Sequence, residues 1–518
     1  MPELPYHIVI GLEVHVQLLT RTKLFCGCAT TFGQPPNTQT CPVCMGLPGA
    51  LPVMNRRAFE LALRAATALN CQIAPFTKWD RKQYFYPDLP KNFQTSQYDL
   101  PFSHDGRLDI ETAAGARSIG IIRVHLEEDA GKSLHDESGR GGETRVDLNR
   151  TGTPLLEIVS QPDMKEPEEA SAYLEEIRLL LRELGVSDCE MQEGSLRCDA
   201  NVNIHVPQAD GTFLATPLVE VKNLNSIRSV ERAVKHEAER QYEELTKELG
   251  KRWHPQGKPK QFSRVERTVD KVGTLPNGVW REVPKTTAGW DDARGSTAVQ
   301  RRKEEASDYR YFPEPDLVPV RVSQEQMDAV RAGLGELPAA QRQRLQTQYS
   351  LSAYDAGVLS ARGRAMVAYF EETAKVSNDA VAAKNWLTND VLATLNERKL
   401  EIDAFPISAA GLGGLIAELA ATGLPKQRAR DVYAEMLASG STAKDAIAKL
   451  GFKPVGDESE LLTIIQQAIA ANAKAVADFK KGKTQAVGAI KGFVMKATKG
   501  QANMQTVEKL LLEEMQKA

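Results

Sequence analysis

Along IVIGLEVHVQL, residues 8–18, Leu12, Val14, Val16 and Leu18 alternate with Glu13, His15 and Gln17. A period of two belongs to a strand with one buried face. The alternation recurs in SIGIIRVHLEED (118–129), where Arg123, His125 and Glu127 oppose Ile122, Val124 and Leu126. In SLRCDANVNIHV (195–206) Arg197, Asp199, Asn201, Asn203 and His205 share a face, and in TPLVEVKNLNS (216–226) Glu220 and Lys222 do. RVDLN (145–149) reads as a shorter strand. Residues 55–70, 166–185 and 226–250 carry helical spacing instead. Strands are not regularly followed by helices, so the pattern predicts an antiparallel α+β sheet rather than a doubly wound one.

Residues 251–287 are rich in Pro, Gly and Lys without clear periodicity and read as a surface excursion, and EPDLVPV (314–320) reads as the exit from the sheet domain. From about residue 321 the composition turns to Ala, Leu, Gln, Lys and Glu with helical spacing, broken at 333–338, 405–414 and 451–460. The expected organisation is a sheet domain over 1–315, a linker and helical domain over 316–425, and a helical tail over 426–518.

Composition adjusts this picture in two places. The 518 residues carry a net charge of −3, which excludes a uniformly basic nucleic-acid binder. Residues 426–518, however, hold 15 Lys+Arg against 10 Asp+Glu, a local +5 that suits either a nucleic-acid partner or a solvated helix face. No apolar run of about 18 residues is present, and the chain enters its first strand without a leader pattern, so a cytoplasmic protein with no membrane partner is expected.

Four of the seven cysteines cluster as C-x-C, twelve residues, then C-x-x-C: Cys26, Cys28, Cys41 and Cys44. That spacing suits tetrahedral Zn²⁺ on a short knuckle, with free thiols or a disulfide pair as the alternatives. Four thiolates leave no open position for chemistry, so such a zinc is structural. Cys71, Cys189 and Cys198 stand apart and read as small core residues.

The polar sides of the strands are unusually dense in carboxylates, amides and histidines. Packed carboxylates repel one another, and a divalent cation relieves them; oxygen ligands with one imidazole suit Mg²⁺ or Mn²⁺ beside substrate phosphates. A solvated face laced with ion pairs is the alternative. LEEDAGKS (126–133) ends like a phosphate loop, but Leu126 stands where its first glycine belongs. KHEAER (235–240) begins like a zinc-protease helix, but Arg240 stands at the second histidine. In VDLNRTGTPLLEIVS (146–160), Gly152 and Pro154 force a turn that leads to Glu157. Glu157 is there either a ligand or base, or the partner of Arg150.

This last segment resembles the signature of the B-subunit family of tRNA-dependent amidotransferases, GatB. IGLEVHVQL, DRKQYFYPDLPKNFQTSQYD (80–99), HLEEDAGKS (125–133), EGSLRCDANVN (193–203), EVKNLNS (220–226), DYRYFPEPDL (308–317) and FVMKATKGQANMQTVEKLL (493–511) resemble its blocks in order. The resemblance covers effectively the whole chain. It implies a cradle-like antiparallel-sheet catalytic domain, then an all-α helical domain and a tail similar to the small YqeY proteins. It implies a glutamine-hydrolysing carbon–nitrogen ligase. ATP and Mg²⁺ would serve to phosphorylate the side-chain carboxylate of Glu-tRNA(Gln) or Asp-tRNA(Asn), and channelled ammonia to amidate it.

The implied partners are a glutaminase A subunit, a small C subunit, the misacylated tRNA and the cognate aminoacyl-tRNA synthetase. Carried over, the Mg²⁺ set falls on Glu13, His15, Glu127, Glu128, Glu157 and Glu220, with Glu13, His15, Glu128 and Glu157 catalytic. Lys78, Arg81, Lys82, Tyr84, Tyr86 and Asp88 would line the substrate or channel side, and Tyr309 and Tyr311 read as packing. In the tail, Lys480, Lys481, Lys483, Lys491, Lys496 and Lys499 are the candidate tRNA contacts. The zinc knuckle occurs in only part of that family, and the 251–287 excursion exceeds the usual connection. A non-catalytic tRNA-binding scaffold and a metal-dependent hydrolase are the competing readings.

Overall fold

In the computed structural model the described residues are 5–134, 143–207, 213–250, 272–274, 280–281, 286–302, 309–452, 458–473, 475–476, 487–498 and 504–517. Most of the 251–287 excursion, together with Lys480, Lys481, Lys483 and Lys499, lies outside them. The chain divides into two compact units, Met1–Leu337 and Pro338–Ala518.

The first unit is mixed α+β, built on a ten-stranded sheet. Its middle is β1 (His7–Gln17), β2 (Gly115–Glu128), β3 (Pro154–Ser160), β4 (Leu196–Pro207) and β5 (Val219–Lys222), in the spatial order β5-β4-β1-β3-β2. These five pair antiparallel throughout, and β5 pairs parallel with Thr286–Asp291. Strict alternation makes the apolar face: Leu12, Val14, Val16, Leu126, Leu156, Ile158, Ala200 and Val202 are all fully buried. Three helices, α1 (Arg56–Ala68), α2 (Pro167–Glu183) and α3 (Ile227–Gly250), share one core with that face. The Asn55 side chain caps α1, its Oδ1 accepting from the N–H groups of Arg57 and Ala58 at 2.9 and 3.3 Å.

Two sequence expectations change. Alternation puts Ile122 on the core side of its strand, yet it is 41% exposed while Ile121 is buried. The register of β2 on β3 slips here, Val159 facing Arg123 and Ser160 facing Ile121, so Ile122 is the extra residue of a β-bulge. The second change concerns the 316–425 segment. Val320–Arg321 pairs with Phe76–Thr77, and Met327 and Leu334 are buried in the first core, so the first unit runs to Leu337. Helical composition alone does not say which core a helix covers.

The second unit is helical among its described residues and has two separate cores. One gathers Leu345, Phe370, Leu387, Leu412, Val432 and Ile447, and therefore continues past residue 425. The other gathers Leu461, Ile465, Ile490, Val494, Val507 and Leu511. Among the described residues no helix is long and apolar enough to cross a membrane.

Candidate active site and cysteine knuckle

Because neighbouring strands pair in register, the polar face is organised in rows. His125 on β2, Glu157 on β3, His15 on β1 and Arg197 on β4 form one row. Arg123, Val159, Glu13 and Asp199 form the next. In the first row both imidazoles flank one carboxylate: the Nε2 atoms of His15 and His125 each lie 3.5 Å from Glu157 Oε2. Glu127 closes the group, with its oxygens 4.0 Å from His15 Nε2 and 3.9 Å from His125 Nε2. Ser96 Oγ lies 3.4 Å from Glu127 Oε2. His15, Glu127 and Glu157 can each turn a ligand atom to one centre, all within 4.8 Å of one another.

The charges of this group are strongly coupled. For His15, burial disfavours the cation, but the contact and charge of Glu157, then Glu127 and Asp199, raise its pKa to about 9. For His125 burial prevails, with Arg123, Lys82 and His15 reinforcing it against Glu157, and its pKa falls to about 4. Burial and the repulsion of Glu157 push Glu127 up to about 7, against Lys82 and His15. Glu157 stays well below the carboxylate range because His125, His15 and Lys82 outweigh its burial. Its pairing with Arg150 does not form. Arg150 instead lies 3.6 Å from Asp129 and donates to the carbonyls of Ala130 and Gly131 at 2.9 and 2.6 Å.

The remaining carried-over carboxylates are elsewhere. Glu13 stands one row away, its Oε1 accepting from Asn201 Nδ2 at 3.0 Å. Glu220 lies on β5, 3.4 Å from Lys222 Nζ and 3.2 Å from Thr287 Oγ1. Glu128 follows Glu127 directly and so points the other way. It is ion-paired with Lys91 and accepts from the N–H of Thr95 at 2.9 Å. It lines a cavity of about 240 Å³ with Lys23, Cys44, Arg81, Lys91 and Glu314, which none of His15, Glu127 or Glu157 lines. Three of the six proposed Mg²⁺ ligands are thus brought together and three are not.

Of the substrate-side residues, Lys82 and Tyr84 stand beside the centre, both within electrostatic reach of Glu127. Lys82 Nζ is framed by the rings of Tyr309 and Tyr84, 5.2 and 5.9 Å from their centroids. Tyr309 packs edge-on to Tyr311, which stacks on Tyr98 at 4.0 Å, and Tyr309 frames Lys82 as well as packing. Lys78 is tied to Asp80 and Asp99, and Arg81 makes two 2.7 Å bonds to Glu314. Tyr84 donates to Gln94, Tyr86 lies against Tyr84, and Asp88 accepts from Ser133 Oγ.

The carried-over site set leaves out Asp129, and also His125 and Arg197, although the strand pattern puts both of these on polar faces. The alternation places His125 beside Glu127. Arg197 and Asp129 form a 2.7 Å bond between residues 68 apart in the chain, which no local pattern announces.

The four knuckle sulfurs also lie within 4.8 Å of one another, and all four cysteines are free thiols. Cys41 and Cys44 Sγ are 3.9 Å apart, close to the edge of roughly 3.8 Å that a tetrahedron with Zn–S bonds of about 2.3 Å has. The knuckle is laced to the turn before β3. Leu24 N–H donates to Gly152 O at 2.8 Å, Gln39 N–H to Asn149 Oδ1 at 2.8 Å, and Leu148 N–H to Asn37 Oδ1 at 2.8 Å. Asn149 Nδ2 donates to Pro35 O at 2.7 Å.

A ten-stranded sheet whose polar rows gather two carboxylates and two imidazoles defines a catalytic domain of the GatB/GatE type, whose family model matches residues 8–328. A GatB domain model matches residues 368–515. The chain is 50% identical over 511 residues to the aspartyl/glutamyl-tRNA(Asn/Gln) amidotransferase B subunit of Rhodopirellula baltica, covering 98% of this chain and 97% of that one. The proteins of the same name from Moorella thermoacetica and Caldanaerobacter subterraneus are 46% and 44% identical, over 98–99% of this chain and 100% of theirs. The chain belongs to the family of aspartyl/glutamyl-tRNA(Asn/Gln) amidotransferase B subunits.

Proposed function

We propose that this protein activates the side-chain carboxylate of Glu-tRNA(Gln) or Asp-tRNA(Asn) with ATP and amidates it with ammonia delivered by a glutaminase A subunit, a small C subunit completing a cytoplasmic complex. The observation that carries the reading is the His15–Glu127–Glu157 group. Two carboxylates within reach of one centre repel unless a cation lies between them, and one imidazole with carboxylate oxygens fits a Mg²⁺ that keeps waters and phosphate oxygens as its other ligands. When bound, the ion neutralises charge on the phosphoryl oxygens.

The reaction needs two displacements. A carboxylate oxygen of the substrate attacks the γ-phosphorus and ADP leaves. Ammonia then attacks the acyl carbon, phosphate leaves, and a proton is lost to give the amide. The protein's part is positioning and dryness. Glu157 fixes both imidazoles, Lys82 supplies positive charge from an aromatic frame, and the wall of Tyr84, Tyr309 and Tyr311 limits water that would hydrolyse an acyl phosphate. The cysteine knuckle takes a structural Zn²⁺. The test is the complex assembled with its partner subunits, glutamine, ATP and each misacylated tRNA. Amide formation that requires ATP and both partners is expected; hydrolysis by the isolated chain without ATP would favour the hydrolase reading.

The basic tail supports tRNA binding as its role. Lys496 is exposed, whereas Lys491 is already paired with Glu508 at 2.7 Å. A chain ending at Phe452 keeps the second unit's larger core whole. In the complex it should bind tRNA roughly tenfold or more weakly at physiological salt, with glutaminase turnover retained. Unchanged affinity in a filter-binding titration would remove the tail from the tRNA site.

A further inference from the structure

Arg123 is a half-buried guanidinium with no ion pair and no side-chain hydrogen bond among the described residues, and its Nε is sealed from water without a partner. The other arginine of the polar rows, Arg197, is tied to Asp129 at 2.7 Å, and Lys222 to Asp199 and Glu220. An arginine carries five N–H donors, and desolvating them unmet is costly. Arg123 is nevertheless within two residues of His125 on the same face, beside a group rich in carboxylates.

The register explains why it stays unpaired. Between Arg123 and Glu13 in their row lies Val159, so the two charges are two strands, roughly 10 Å, apart. The bulge at Ile122 directly precedes Arg123 and sets its aim, as bulges beside active sites do. Val159 thus stands between the free guanidinium and Glu13, beside the His15–Glu157 row. Lys82, the other cation of the site without an ion pair or hydrogen bond among the described residues, acts on the same neighbourhood: Lys82 and Arg123 both oppose the rise in pKa of the half-buried Tyr311 phenol.

We infer that Arg123, with Lys82, is an anion clamp that takes phosphoryl oxygens of the nucleoside triphosphate beside Val159. This rests on the phosphorylation reading above and adds to it a contact residue. A planar guanidinium donates two parallel bonds to a phosphate, which an ammonium does not, so lysine is a partial substitute only.

The test uses the assembled complex carrying Arg123→Gln or Arg123→Lys, with assembly and melting temperature checked against the parent. Losing one charge-assisted bidentate contact should raise the KM for ATP, and weaken binding of a non-hydrolysable ATP analogue in equilibrium dialysis, by roughly ten- to a hundredfold. Arg123→Lys should recover part of this, while the KM for misacylated tRNA stays within about twofold. Unchanged nucleotide binding overturns the clamp. So does a rise confined to the tRNA KM, which would make the anion a backbone phosphate of the tRNA. The dialysis arm decides the matter even if the complex shows no ATP-dependent amidation, a result that would count against the phosphorylation reading alone.

Discussion

Glu157→Gln in the assembled complex should lower ATP-dependent amidation by at least about a thousandfold, while tRNA affinity stays within about twofold. The reason is its place in the row. One carboxylate oxygen, Oε2, lies 3.5 Å from the Nε2 atoms of both His15 and His125. Its hydrogen-bonding contact, then its charge, are the main influences raising the pKa of His15, and it is one of the three groups that can meet at a single centre. A glutamine is nearly isosteric but neutral, so it removes the charge that sets both imidazoles. Glu13→Gln is the internal control. Glu13 stands in the adjacent row and accepts a hydrogen bond from Asn201, which an amide oxygen can also accept, so its loss should be smaller. Equal loss for the two, or full activity of Glu157→Gln, would move the centre of the site to the neighbouring row.

Cys44→Ser should cut bound zinc from about one per chain to a small fraction of that, measured by elemental analysis on the purified complex. Structural zinc contributes roughly 10 kcal/mol or more of apparent binding free energy in small fingers, comparable to the whole stability of a domain. The knuckle has few buried apolar side chains of its own, Leu24, Phe25 and Cys44 among them, so little remains to hold it. Its hydrogen bonds to Asn149 and Gly152 support the turn from which β3 and Glu157 start. Amidation should therefore fall with the metal, and the melting temperature by more than about 5 °C. Equal zinc content in variant and parent would end the zinc assignment.

Much of this was legible along the chain because it depends on local parity. Leu12, Val14 and Val16 against Glu13, His15 and Gln17 mark β1 and its polar side without knowledge of any neighbour. The separation of Glu127 from Glu128 was legible too, since consecutive strand residues point to opposite faces. Carrying both into one metal set overrode that rule. Which polar residues meet is another matter. Glu13 and His15 are equivalent on their own strand, and only pairing with Glu157, more than a hundred residues on, selects His15. The Ile122 bulge is likewise a property of two strands together. The four cysteines announced themselves by spacing, whereas Gln324–Leu334 carried no mark of the core it joins.

The extra residue at Ile122 is what lets one strand hold two opposite phases of alternation. Its side chain is exposed, so many residue types would serve there. Deleting it would join Ile121 directly to Arg123 and close the ladder, with Ile121 still opposite Ser160. Ile119 and Ile121 would keep the core side and Arg123, His125 and Glu127 the polar side, so the loss would fall on the local twist that aims Arg123 rather than on the register upstream. The strand is in effect two rulers joined at one notch. One is read by the core beneath the hairpin and the other by the site, and the notch can be lost without moving either scale.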